Sequence, residues 1–131
     1  EIGNMSAARD WGFAGDYVRA MWLMLNAEKP EDYVIATGEK HTIREFIDLS
    51  LDYLNIKAKW EGDGSDEKVV NPTSGKPIVE VNKKFFRPTE VDELNGSPEK
   101  ARKNLGWSPE VGFEKLIHLM IDHDMKMLNG K

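Results

Sequence analysis

The chain has 131 residues, enough for one domain with a modest core. Eighteen basic against 23 acidic residues leave a net charge of −5, so no basic excess exists to neutralise a nucleic acid or an anionic membrane. The absence of cysteine excludes disulfides, thiolate metal sites and cysteine nucleophiles, and agrees with a cytoplasmic location. No apolar run reaches transmembrane length, and Glu1-Ile2-Gly3-Asn4 is not a signal peptide, which leaves the Asn4-Met5-Ser6 sequon a coincidence. Without an initiator methionine the chain reads as a piece of something longer.

The spacing of Tyr17, Val18, Met21, Trp22 and Leu25 predicts a helix over Ala14–Asn26 with one broad apolar face. After the interrupter Glu28-Lys29-Pro30-Glu31-Asp32, a short strand is predicted at Tyr33–Ala36, ended by a turn at Thr37-Gly38-Glu39. Thr42 and Glu45 form a capping box ahead of Ile43, Phe46, Ile47, Leu51 and Leu54, with Asn55 as the stop. Lys57–Trp60 alternates like a strand, and Glu61–Lys76, rich in Gly, Asp, Ser and Pro, reads as a mobile surface excursion. Ile78, Val79 and Val81 make a third strand. Ser97-Pro98 predicts an N-cap and first position for a helix to Leu105, stopped by Gly106, with Trp107 as a core anchor. The last helix, Phe113–Leu128, should turn Leu116, Ile117, Met120 and Ile121 inward. The sum is a small α/β domain, mostly helical with a few short strands.

Phe85-Phe86-Arg87-Pro88-Thr89-Glu90-Val91-Asp92 is poor material for a helix or a central strand. Pro88 biases Arg87 toward extended geometry, so its guanidinium leaves the chain in a fixed direction. A guanidinium suits phosphates and a carboxylate accepts from sugar hydroxyls, so the segment fits a nucleotide; the alternative is a surface turn with an incidental ion pair. Arg9-Asp10-Trp11-Gly12, with Asp16-Tyr17 beyond, stands just before a predicted helix, where free N–H groups favour an anion. Its alternative is a helix lead-in with an Arg9–Asp10 or Arg9–Asp16 pair. Tyr53 and Lys57 have the Tyr-x-x-x-Lys spacing of short-chain dehydrogenases but straddle a helix end, so the match is incidental. His118, Asp122 and His123 read as a solvated helix face, and Gly62-Asp63-Gly64 as a loop without the frame of a dinucleotide site.

Together, Arg9-Asp10-Trp11-Gly12…Asp16-Tyr17-Val18, Pro30-Glu31-Asp32-Tyr33-Val34-Ile35-Ala36-Thr37-Gly38-Glu39, Phe86-Arg87-Pro88-Thr89-Glu90-Val91-Asp92 and Leu105-Gly106-Trp107-Ser108-Pro109 resemble the GDP-mannose 4,6-dehydratase family. The resemblance implies an extended short-chain dehydrogenase/reductase, with an N-terminal Rossmann domain binding NADP and a smaller C-terminal domain gripping the sugar nucleotide. Residues 1–131 would be that C-terminal domain. The family's reaction oxidises C4 of GDP-mannose, eliminates water across C5–C6 and returns the hydride to C6. By the same resemblance, Arg9 and Arg87 bind the GDP end, Arg87 taking the diphosphate, and Glu90 accepts from a ribose hydroxyl. Asn4 belongs to a Gly-Asn that precedes the arginine motif, and Trp11 walls the nucleotide pocket. The family pattern carries His and Lys where this chain has Phe13 and Gly15.

These implications assign no catalytic residue, cofactor ligand or metal ligand to this chain. Its expected partners are GDP-mannose, held weakly without the second wall, and its own Rossmann domain, within a homo-oligomer. Two other readings stay open at this point: the same portion of another nucleotide-sugar epimerase or dehydratase, and a non-enzymatic nucleotide- or protein-binding domain.

Overall fold

In the computed structural model, which describes residues 1–87 and 93–130, the elements alternate along the chain as an α/β protein with more helix than strand. They are β1 (Ala8–Arg9), α1 (Ala14–Leu25), β2 (His41–Thr42), α2 (Ile43–Tyr53), β3 (Lys59–Glu61), β4 (Lys68–Val70), β5 (Pro77–Glu80), β6 (Glu93–Leu94), α3 (Glu99–Leu105) and α4 (Phe113–Asn129). The two-residue strands pair in the order β2-β1-β6, and β3-β4-β5 form an antiparallel sheet. The chain folds into two compact units: Glu1–Ala8 with Thr42–Glu93, and Arg9–His41 with Leu94–Lys131.

The first unit is built on α2 and the β3-β4-β5 sheet. The predicted capping box is present: Glu45 N–H donates to Thr42 Oγ1 at 3.0 Å, and Thr42 N–H donates to Glu45 Oε2 at 2.7 Å. Asn55 stops the helix with φ 55°, a left-handed conformation that Asn tolerates better than most residues. Met5, Ile47, Leu51 and Val69 form the core, with Ile2, Ile43, Trp60, Val79 and Val81 packed on it. Predicted as an excursion, Glu61–Lys76 instead contains β4, whose Val69 and Val70 are buried. Two consecutive β-branched residues supply the strand, while the turn residues around them mask it in composition. Gly62, at φ 76°, makes the tight approach: a Cβ there would lie 2.2 Å from the Asp66 carbonyl oxygen.

In the second unit, Ala20 of α1 and Ala101 of α3 are fully buried beside Trp107, with Tyr17, Leu23, Tyr33, Ile35 and Leu105 around them. Two alanines at the crossing let the helices approach closely. Trp107 is the predicted core anchor, and Gly106 ends α3 at φ 63°. Four expectations change here. The cap of α3 falls on Pro98 rather than Ser97, so no hydroxyl caps that helix. Tyr33–Ala36 forms no strand, although Tyr33 and Ile35 still pack inward. Most of the predicted inner face of α1 lies outside: Val18, Met21, Trp22 and Leu25 are 63%, 60%, 62% and 85% exposed, while Asp16 and Ala20 are buried. On α4, Leu116 and Ile117 are buried as predicted, but Met120 is exposed.

Candidate functional site

The segment from Arg9 to Tyr17 is held by its side chains. Asp10 Oδ1 accepts from the N–H and the hydroxyl of Thr37, both at 2.9 Å, and Oδ2 accepts from Gly38 N–H at 2.9 Å. The Thr37-Gly38 turn is thus clamped to the start of α1, and Arg102 donates to the Thr37 carbonyl at 3.2 Å. Trp11 Nε1 donates to the His41 carbonyl at 3.1 Å, and its ring lies 6.1 Å from Phe113, on which His41 stacks at 3.9 Å. Trp11, Thr37, His41, Arg102 and Phe113 line a cavity of about 200 Å³.

Asp16 is buried, and its Oδ2 accepts from Glu110 N–H at 3.0 Å and Val111 N–H at 3.1 Å. Its carbonyl accepts from Trp107 Nε1 at 2.8 Å, so one residue orients both the core tryptophan and the approach to α4. Tyr17 lies over Gly12: a Cβ on that glycine would meet the phenol oxygen at 2.2 Å. Burial, then the charges of Asp10 and Asp16, push the Tyr17 hydroxyl above its ordinary value, so it stays a neutral phenol. The Phe13 ring occupies the space a Cβ at position 15 would need, at 2.4 Å.

The other expected site residues belong to different parts of the chain. Arg9, half-buried on β1, and Trp11 belong to the second unit; Asn4 and Arg87 belong to the first. Within the first unit, the Gly-Asn pair and the segment leading to Arg87 are neighbours. Ile2 N–H donates to the Glu80 carbonyl at 3.0 Å and Asn82 N–H to the Ile2 carbonyl at 2.9 Å. The chain then turns at Asn82, whose carbonyl accepts from Phe85 and Phe86. Gly3 sits so close to this turn that a Cβ would be 2.7 Å from the Phe85 carbonyl oxygen. Asn4 Oδ1 accepts from Ser6 N–H at 2.9 Å, and Arg87 leaves the turn exposed. Glu90, with Pro88, Thr89, Val91 and Asp92, lies outside the described residues.

Sequence reading missed the roles of Asp10, Thr37 and Asp16. A usable signal was an Asp beside a helix start together with a distant Thr-Gly turn, although the pairing itself is long-range. Gly62-Asp63-Gly64 does not fit a dinucleotide: it joins β3 to a single 3-10 turn and then β4, with no strand-to-helix crossover. Among the described residues, no helix is long and apolar enough to cross a membrane.

A family model described as GDP-mannose 4,6 dehydratase matches residues 1–120. The chain belongs to the GDP-mannose 4,6-dehydratase family. GDP-mannose 4,6 dehydratase 1 of Arabidopsis thaliana is 51% identical over 126 residues, covering 96% of this chain and 30% of the relative. The human GDP-mannose 4,6 dehydratase is 46% identical over 127 residues, covering 97% and 34%. The chain therefore spans about a third of the length of these relatives. In fold it resembles the UDP-glucose 4-epimerase of Thermotoga maritima, solved with UDP-glucose, at TM-score 0.71 and 23% identity, over 98% of this chain and 35% of that one. It also resembles RMD from Pseudomonas aeruginosa, solved with NADPH, at TM-score 0.64 and 20% identity, over 88% and 32%. These likenesses show that the chain shares its α/β fold with part of those two proteins.

Proposed function

We propose that this chain is the C-terminal, sugar-nucleotide-binding portion of a GDP-mannose 4,6-dehydratase, a cytoplasmic enzyme that makes GDP-4-keto-6-deoxymannose. Arg87 takes the diphosphate, Arg9 a second contact at the GDP end, and Glu90 a ribose hydroxyl. Asn4 stands beside the turn that delivers Arg87, and Trp11 closes the pocket wall. Catalytic groups and the NADP-binding Rossmann domain come from the remainder of the protein, which assembles as a homo-oligomer.

The observation that carries this reading is the family match over residues 1–120, which includes both arginine segments. Packing supports it: Gly3 lies against the turn before Arg87, while Arg87 itself is left exposed. A solvated arginine beside a tightly built turn suits a phosphate contact, which gains most when a second wall excludes water. Identity of 51% to a GDP-mannose enzyme against 23% to a UDP-glucose epimerase favours guanosine over uridine sugars.

The test is turnover by the full-length protein that contains this chain, offered GDP-mannose and UDP-glucose in parallel. Loss of GDP-mannose with formation of the 4-keto-6-deoxy product is expected; no turnover of GDP-mannose, or turnover of UDP-glucose alone, overturns the reading. Calorimetry on the chain by itself should show weak or undetectable GDP-mannose binding, since one wall cannot exclude water from the diphosphate.

A further inference from the structure

Glu67, at the entry of β4, is a carboxylate only 3% exposed to solvent. Burying a charge is costly unless a partner offsets it, and an apolar pair of similar volume often stabilises a fold as well. A buried ion pair is therefore better explained by the position it fixes than by the stability it adds. The partner is Arg44, in the first turn of α2, whose guanidinium bonds the Glu67 carboxylate. The same guanidinium lies 4.3 Å from the centre of the Trp60 ring, and Trp60 Nε1 donates to Asp48 Oδ1 at 2.8 Å. The pair is thus braced on both the helix and the sheet. It also joins the two stretches of chain that build the turn before Arg87. Arg44 N–H donates to the Met5 carbonyl at 2.9 Å, just beyond the Gly3 that packs on that turn. The Glu67 carbonyl accepts from Val81 N–H at 3.0 Å, directly before Asn82, where the turn begins.

We infer that Glu67, paired with Arg44, is a positioning residue for Arg87: it fixes the Asn82 turn from which that arginine meets the sugar nucleotide. The inference rests on the role given to Arg87 under the proposed function. The side-chain tie made by the turn itself is weaker. Lys83 pairs with Asp66 at 3.2 Å, but the two side chains are 73% and 76% exposed, and such surface pairs hold little. The buried carboxylate is held from both ends, by the guanidinium at its side chain and by Val81 at its carbonyl. A bidentate phosphate contact depends on placement, so a turn that shifts by a fraction of a bond length weakens it.

Glu67→Gln keeps the size of the side chain and removes its charge. In the full-length protein it should raise KM for GDP-mannose about five- to ten-fold, with kcat within about two-fold of wild type. A double-mutant cycle with Arg87→Ala separates positioning from general damage. In the Arg87→Ala background the same change should move KM by less than about two-fold, because the group it acts through is gone. An equal rise in both backgrounds overturns the inference, and so does no rise in either. Amide hydrogen exchange gives a readout that needs no turnover: the peptide over residues 81–86 should exchange about ten-fold faster in Glu67→Gln, with α4 unchanged. Unchanged exchange over 81–86 overturns the inference. Arg44→Lys, which keeps a cation beside the carboxylate but removes the planar fork, goes through the same cycle and decides the question where Glu67→Gln does not fold. A KM rise from Arg87→Ala with none from Glu67→Gln refutes the positioning role and leaves the proposed function standing. No KM rise from Arg87→Ala refutes the role of the arginine, and the inference falls with it.

Discussion

The two arginine-bearing segments differ in what holds them. From Arg9 to Tyr17, the residues following the arginine build the frame. Asp10 clamps Thr37-Gly38, Trp11 bonds the His41 carbonyl, Gly12 admits the Tyr17 ring and Asp16 fixes Glu110 and Val111. Around Arg87 the opposite holds. The chain arrives through a backbone turn at Asn82, braced by Gly3, and the arginine is exposed. Burial therefore separates, within one family signature, residues engaged in the fold from an arginine left to solvent.

Asp16→Ala should be the most damaging change to stability. It leaves the Glu110 and Val111 N–H groups without their acceptor, Val111 being buried, at a cost of about 2–4 kcal/mol in urea unfolding. A loss below about 0.5 kcal/mol, the ordinary range of surface substitutions, would show that the first segment is not a frame. Gly12→Ala comes next: the Tyr17 ring must move off a Cβ placed 2.2 Å from its oxygen, at about 1–3 kcal/mol.

Tyr17 gives a smaller, pH-dependent effect. Its folded pKa is raised above the ordinary tyrosine value of 10.0, so the unfolded chain loses the proton first. The associated stability is complete below about pH 10 and falls as pH rises through the folded pKa. Tyr17→Phe should flatten that alkaline decline, as read by unfolding curves between neutral and alkaline pH. An unchanged slope would show that the phenol is not held neutral by its surroundings.

Local signals carried much of the fold. Thr42 and Glu45, Asn55 and Gly106 act within a few residues of themselves, so helix limits set by caps and left-handed stops were legible. The outward face of α1 was not, because helical spacing defines a stripe without saying whether the stripe meets the core of this chain or another surface. Here Ala20 and Asp16 took the inside and Val18, Met21, Trp22 and Leu25 the outside. The β4 strand was hidden for a different reason: its three residues sit among Gly, Asp, Ser and Pro, and only pairing with β3 and β5 makes them a strand. Arg9, Trp11 and Arg87 were legible as a candidate site through resemblance, whereas the Asp10–Thr37 clamp joins residues too distant for any local rule.

The central claim is that Arg87 meets substrate rather than supporting the fold. Steady-state kinetics of the full-length protein with GDP-mannose, wild type against Arg87→Ala, test it most directly, with urea unfolding of both proteins alongside. Stability should stay unchanged within about 0.5 kcal/mol, and KM should rise by an amount worth about 1.5–3 kcal/mol for a lost charged hydrogen bond. Unchanged KM, or a loss of activity that only follows a loss of stability, would contradict it.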